Sequence, residues 1–178
     1  MSEEMEVPLE SSHDAIHEEA EKTRDRWTLV VAMCTAILAV FAAITSLMAG
    51  HHANEAMIDQ LQASDQWSFY QAKGIKAAVL QNKIDLLHGM GKEPVAGDGE
   101  KLQRYAEEQK SIEETAHEHE HASADHLRIH QMLAKSVTAF QIAIAIAAIS
   151  VLTRRKWLFT GSLFLGCGGL GLLILALL

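Results

Sequence analysis

Ten histidines in 178 residues are a large supply of metal-binding and proton-exchanging side chains. His117, His119 and His121 alternate with Glu118 and Glu120. On a helix, His117 and His121 fall one turn apart, so both imidazoles can face one point. Glu113 and Asp125 extend that face in both directions. Imidazole and carboxylate at this spacing suit a divalent transition metal such as zinc. His126 and His130 repeat the four-residue interval, as do His13 and His17. The same side chains also support pH-sensitive packing, because imidazole titrates near neutrality. A plainer alternative is an unspecialised solvated helix, since strict His–Glu alternation places residues all round it. His119, Ser123, His126 and His130 can also form a polar inner seam. No P-loop, GxSxG or Cys/His nucleophile pair occurs, so the chain reads as non-enzymatic.

The elements that must position these residues are set by three charge-free runs. Residues 27–49, 136–153 and 157–178 contain no Asp, Glu, Lys or Arg. A bilayer core takes about 20 helical residues to cross, so all three read as transmembrane spans. Ala, Glu, Gln and Leu dominate outside them, with two prolines in all, which predicts an all-α protein. The net charge of −8 argues against nucleic acid as a partner. Cys34 and Cys167 both lie inside apolar runs, where a small packing residue is expected rather than a disulfide or a metal ligand. The first run is longer than a signal-peptide core, which predicts a retained signal anchor.

Lys22, Arg24 and Arg26 precede the first span, and Arg154, Arg155 and Lys156 join the second to the third. By the positive-inside rule the acidic N-terminal segment, residues 1–26, is cytoplasmic. The segment between the first two spans, and the C-terminus, then lie on the outer side.

That outer segment has one break, Gly89 to Gly99, with four glycines and a proline. Ile58, Leu61, Ala72, Ile75, Val79 and Leu86 recur at helical spacing before it, as do Leu102, Tyr105, Ile112 and Ala116 after it. Asp65, Ser68, Asn82 and Gln109 interrupt these coiled-coil-like intervals. No breaker separates either outer stretch from its neighbouring span. The expected architecture is therefore a long antiparallel helical hairpin over residues 27–153. Its outer coiled-coil arms are 50–88 and 100–135, and a third transmembrane helix occupies 157–178.

Small residues suggest how the spans pack. Ala32, Ala36, Ala39, Ala43, Ser46, Gly50 and Ala53 follow one another at 3–4 residue steps. Ser136, Ala139, Ala143, Ala147 and Ser150 do the same in the second span. Small residues let backbones approach closely in lipid. Folding at the break pairs Ala43 with Ala143, Ala39 with Ala147, Ala36 with Ser150 and Thr45 with Gln141. Gly161 and Gly168 mark a further packing face on the third span. The same fold groups His51, His52, Glu55, Asp59, His126 and His130 near the outer membrane surface, a second candidate metal site. It also sets Trp67 level with His119. Trp67, Phe69 and Tyr70 are a candidate interaction cluster, either filling a helix interface or docking a partner.

RDRWTLVVAMCTAILAVFAAITSLMAG, ASDQWSFYQAKGIKAAV and the late span pair joined by TRRKW carry a resemblance over nearly the whole chain. With these segments the chain resembles a bacterial family of small membrane proteins, domain of unknown function 4337. The resemblance implies a three-span protein of the bacterial inner (cytoplasmic) membrane, with a periplasmic hairpin and C-terminus, and implies no activity. The expected function is a self-associating, homo-oligomeric membrane scaffold, with a membrane or periplasmic protein as a candidate partner. The alternatives are a homo-oligomeric channel and a periplasmic metal-binding or sensing protein.

Overall fold

The structure, a computed structural model, describes residues 26–178. They form three helices: α1 (Arg26–Gly89), α2 (Asp98–Thr153) and α3 (Lys156–Leu177). No strand occurs among the described residues. Each helix contains a stretch long and apolar enough to cross a membrane. His13 and His17 lie outside the described residues.

The helix ends follow from local chemistry. At the end of α1 the N–H of Lys92 donates to the Leu87 carbonyl at 2.8 Å, and that of Gly91 to His88 at 2.9 Å. This closure requires a left-handed residue, and Gly91 supplies it at φ 68° without a Cβ clash. Asp98 opens α2 with its buried carboxylate accepting a bond from Lys83 Nζ at 2.8 Å. Asp98 and Glu100 also face the positive end of the helix dipole. α2 closes as α1 does: Arg155 N–H donates to Ser150 at 3.1 Å and Arg154 N–H to Val151 at 3.2 Å. Here the left-handed position is Arg154, at φ 53°.

The chain divides into two compact units. The first takes α1 up to Thr45 and Lys135–Ile174. Leu38, Ala42, Phe140 and Ala143 form its core, with Phe41, Ile144, Leu165 and Leu170 packed against them. The rings of Phe41 and Phe140 stack with centroids 6.2 Å apart. Gly166 and Gly169 bring α3 close. A Cβ at Gly169 would lie 2.9 Å from the Phe140 ring, and one at Gly166 2.9 Å from Leu38 Cδ2. The hydroxyl of buried Ser136 donates to the Gly169 carbonyl at 2.8 Å. Close approach of this kind is what holds helices together where lipid removes the hydrophobic drive.

The small-residue face of α1 is not the covered one. Ala36, Ala39 and Ala43 are exposed, whereas Val31, Leu38, Ala42 and Thr45 are buried. On α2, Ala143 and Ala147 are fully buried and Ala139 is half-buried. Ala143 packs with Leu38 and Ala42 rather than pairing with Ala43. Thr45 donates to its own helix at the Phe41 carbonyl (2.7 Å), and Gln141 is exposed. Gly161 and Gly168 have open space beside them, so the expected glycine contact falls on Gly166 and Gly169 instead.

The second unit comprises Ser46–Ala134 with Leu175–Leu178. Here the covered positions of α1 step by three and four through Ala49, His52, Ala56, Asp59, Ala63, Gln66 and Tyr70. Those of α2 step likewise through Gln109, Ile112, Ala116, His119, Ser123, His126 and His130. Contacts run from Ala49 with His130 to Lys83 with Asp98, numbers rising on one helix as they fall on the other. Ala49 meets His130, where the expected register sets it level with Val137, seven residues away.

Candidate functional site

The second unit gathers four of the eight described histidines, His52, His119, His126 and His130, into one polar seam built on an alanine repeat. Ala49, Ala56 and Ala63 recur every seventh residue on α1 and are buried. A methyl side chain leaves the backbone carbonyl beside it open to a side chain from the facing helix. Two of these carbonyls are used. His130 Nδ1–H donates to the Ala49 carbonyl at 2.8 Å, which fixes its tautomer. Ser123 Oγ–H donates to the Ala56 carbonyl at 2.8 Å. At the third alanine the facing residue type is alanine too, and Ala63 and Ala116 are both fully buried.

Between the alanines, side chains meet directly. His52 Nδ1 and His126 Nδ1 are 2.9 Å apart, with ring centroids at 5.2 Å. One ring must donate and the other accept, so at most one of the two carries a second proton. Burial, then the neighbouring imidazoles of His126 and His51, holds His52 below the usual histidine range, against a smaller opposing pull from Glu55. His119 Nδ1 meets Asp59 Oδ1 at 3.3 Å. Farther along, Trp67 Nε1–H donates to Glu120 Oε1 at 2.8 Å, and His117 Nδ1–H to Glu120 Oε2 at 2.9 Å. These bonds, Trp67's first, hold the Glu120 carboxyl below the usual range. The Trp67 ring stands edge-on to His117 and to Tyr70.

Lys73 closes this region. It pairs with Glu108 and lies over the rings of Phe69 (5.3 Å) and Tyr105 (5.4 Å). The hydrogen bond from Lys73 is the main reason the Glu108 carboxyl sits below its usual range. Among the described residues no buried side-chain nitrogen or oxygen lacks a partner.

Of the expected metal ligands the structure brings His52 and His126 together. His130 turns to a backbone carbonyl, and exposed His51 lies 3.9 Å from Glu55. His117 is engaged by Glu120, His121 and Asp125 are exposed, and Glu113 is half-buried. Among the described residues no three His, Cys, Asp or Glu side chains are grouped to hold a metal ion. Of the aromatic cluster, Trp67 and Tyr70 touch within the unit and Phe69 is left exposed. Two participants escape sequence reasoning: Lys73, whose charge suggests a solvated face, and the alanine carbonyls, which carry no side-chain signal.

No curated protein and no solved structure matches the chain. One family does, described as a domain of unknown function (DUF4337), and its match covers residues 27–178. The chain belongs to that family.

Proposed function

We propose that this chain is a non-enzymatic, self-associating integral membrane protein that acts as a scaffold through its helices outside the bilayer. In this reading α1 and α2 form an antiparallel, coiled-coil-like hairpin half in lipid and half in water. The basic residues at Arg26 and at Arg154, Arg155 and Lys156 set those two ends on the cytoplasmic side of a bacterial inner membrane. The observation that carries the proposal is the large apolar surface α1 leaves uncovered beyond the candidate span. Ile58, Leu61, Phe69, Ile75, Val79 and Leu86 are all exposed. Lipid accounts for exposed apolar side chains within a span; in water such a run marks an interaction face.

The test is the mass of the full chain purified in mild detergent, by size-exclusion chromatography with light scattering. A mass of two or more chains is expected. A monomer across the accessible concentration range would sink the proposal.

A further inference from the structure

The exposed apolar residues of α1 in the second unit are ordered. Ile58, Leu61, Asp65, Ser68, Ala72, Ile75, Val79, Asn82 and Leu86 step by three and four, and every one is exposed. Leu61, Ile75, Val79 and Leu86 expose 61, 65, 64 and 65% of their surface. This is a second heptad row on a helix whose first row is already covered by α2. A row at this spacing fits another helix, because only a helix meets such a seam along its whole length.

The outward side of α2 in the same unit is different in kind. Its exposed positions include Lys101, Arg104, Glu107, Lys110, Glu114 and Glu118. One helix therefore shows water a charged face and the other an apolar row. From Ile58 to Leu86 the row is about 42 Å long at 1.5 Å per residue, and a helix is about 10 Å wide. The strip is then on the order of 400 Å², roughly half of what one partner contributes to a standard stable interface. Beside it, Ile75, Val79, Leu80 and Tyr105 line a groove of about 360 Å³ whose rim also carries Lys76, Lys83, Asp98 and Lys101.

We infer that the occupant is a second copy of this chain, its α1 lying parallel and in register against the same row. The inference rests on the membrane reading proposed above. Copies inserted in one bilayer with one orientation hold their α1 helices parallel. A single apolar row per chain is then buried by turning the rows toward one another. Residues of the same number meet: Leu61 with Leu61, Ile75 with Ile75, Val79 with Val79. Asn82 interrupts the row, and an asparagine at a seam position fixes register in parallel helix pairs, whereas in-register Asp65 carboxylates repel one another at a cost the apolar positions must offset. The bilayer supplies part of the association by confining the copies to two dimensions.

The experiment is oxidative crosslinking of the full chain in native membranes. The background carries Cys34→Ala and Cys167→Ala, with one added substitution at a time: Leu61→Cys, Ile75→Cys, Val79→Cys, or Arg104→Cys on the charged face of α2. Same-site dimers are expected to form several-fold faster at the three row positions than at Arg104, because in-register partners fall within disulfide reach. Ile75→Glu with Val79→Glu is expected to lower the detergent mass while helical content stays unchanged. A multimer whose row positions crosslink no faster than Arg104 overturns this inference and leaves self-association standing. A monomer overturns both.

Discussion

His52 and His126 meet nitrogen to nitrogen, Nδ1 to Nδ1 at 2.9 Å, between the two helices of the second unit. The contact tolerates one shared proton and not two. His51, His130 and Glu55 stand around the same ring. His52 is held below its ordinary range, so the unfolded chain binds more protons than the folded one as pH falls. Its contribution is fully present above the unfolded value, about pH 6.5, and is lost below it. The melting temperature of the detergent-solubilised protein should drop between about pH 7.5 and about pH 5. His52→Gln should flatten that dependence; an unchanged slope would remove His52 as its source.

Neighbouring alanines on α1 should behave oppositely. Ala42 belongs to the core with Phe140 and Ala143, whereas Ala43 is exposed. Ala42→Leu overfills a packed site and should cost about 1–3 kcal/mol. Ala43→Leu should stay within about 0.5 kcal/mol in the isolated chain. Thermal melts in detergent separate the two, and the reverse order would restore the register in which Ala43 faces Ala143.

The glycines of α3 sort the same way. Gly169→Ala drives a methyl against the ring of fully buried Phe140. It should cost about 1–3 kcal/mol. Gly166→Ala meets only the end of the Leu38 side chain, which can turn away, and should cost less. Gly161→Ala and Gly168→Ala meet open space and should gain up to about 1 kcal/mol from helix propensity. Equal melting shifts at all four positions would contradict this packing.

Arg154 occupies a left-handed position that disfavours any Cβ. Arg154→Gly should stabilise the α2–α3 junction by about 1 kcal/mol. On the positive-inside argument it also removes one of the three orienting charges at that junction. A fused C-terminal reporter, read in whole cells alongside the melt, should show higher stability with a larger fraction of chains inserted the wrong way. A lower melting temperature would mean the Arg154 side chain contributes more than its backbone costs.

Much of the helical architecture is legible because charge-free runs and glycine–proline breaks are strong local signals. The inner seam of His119, Ser123, His126 and His130 is legible too, since these share a face at helical spacing. Register is harder. Ala49, Ala56 and Ala63 repeat every seven residues, so a slip of one heptad still sets small residues against the facing helix, and nothing local penalises it. The face is harder again. Hydrophobicity favours the row through Ile58, Leu61 and Ile75 as the seam, yet that row is outward. The covered row is alanine, histidine and aspartate, held by close approach and by bonds to backbone carbonyls.

The contacts of the second unit also order its assembly in time. Lys83 and Asp98 are 15 residues apart in sequence, Tyr70 and Gln109 are 39, His119 and Asp59 are 60, and Ala49 and His130 are 81. Closing the longest of these loops directly costs about 1.5 kcal/mol more entropy than closing the shortest. Once the short one is shut, each next contact encloses only a few residues more. Loop-closure entropy therefore favours nucleation at the turn between Gly91 and Gly97, with the pair closing from it progressively toward Ala49 and His130. Changes near Lys83 and Asp98 act on how fast the two helices find each other; changes near His130 act after they have met.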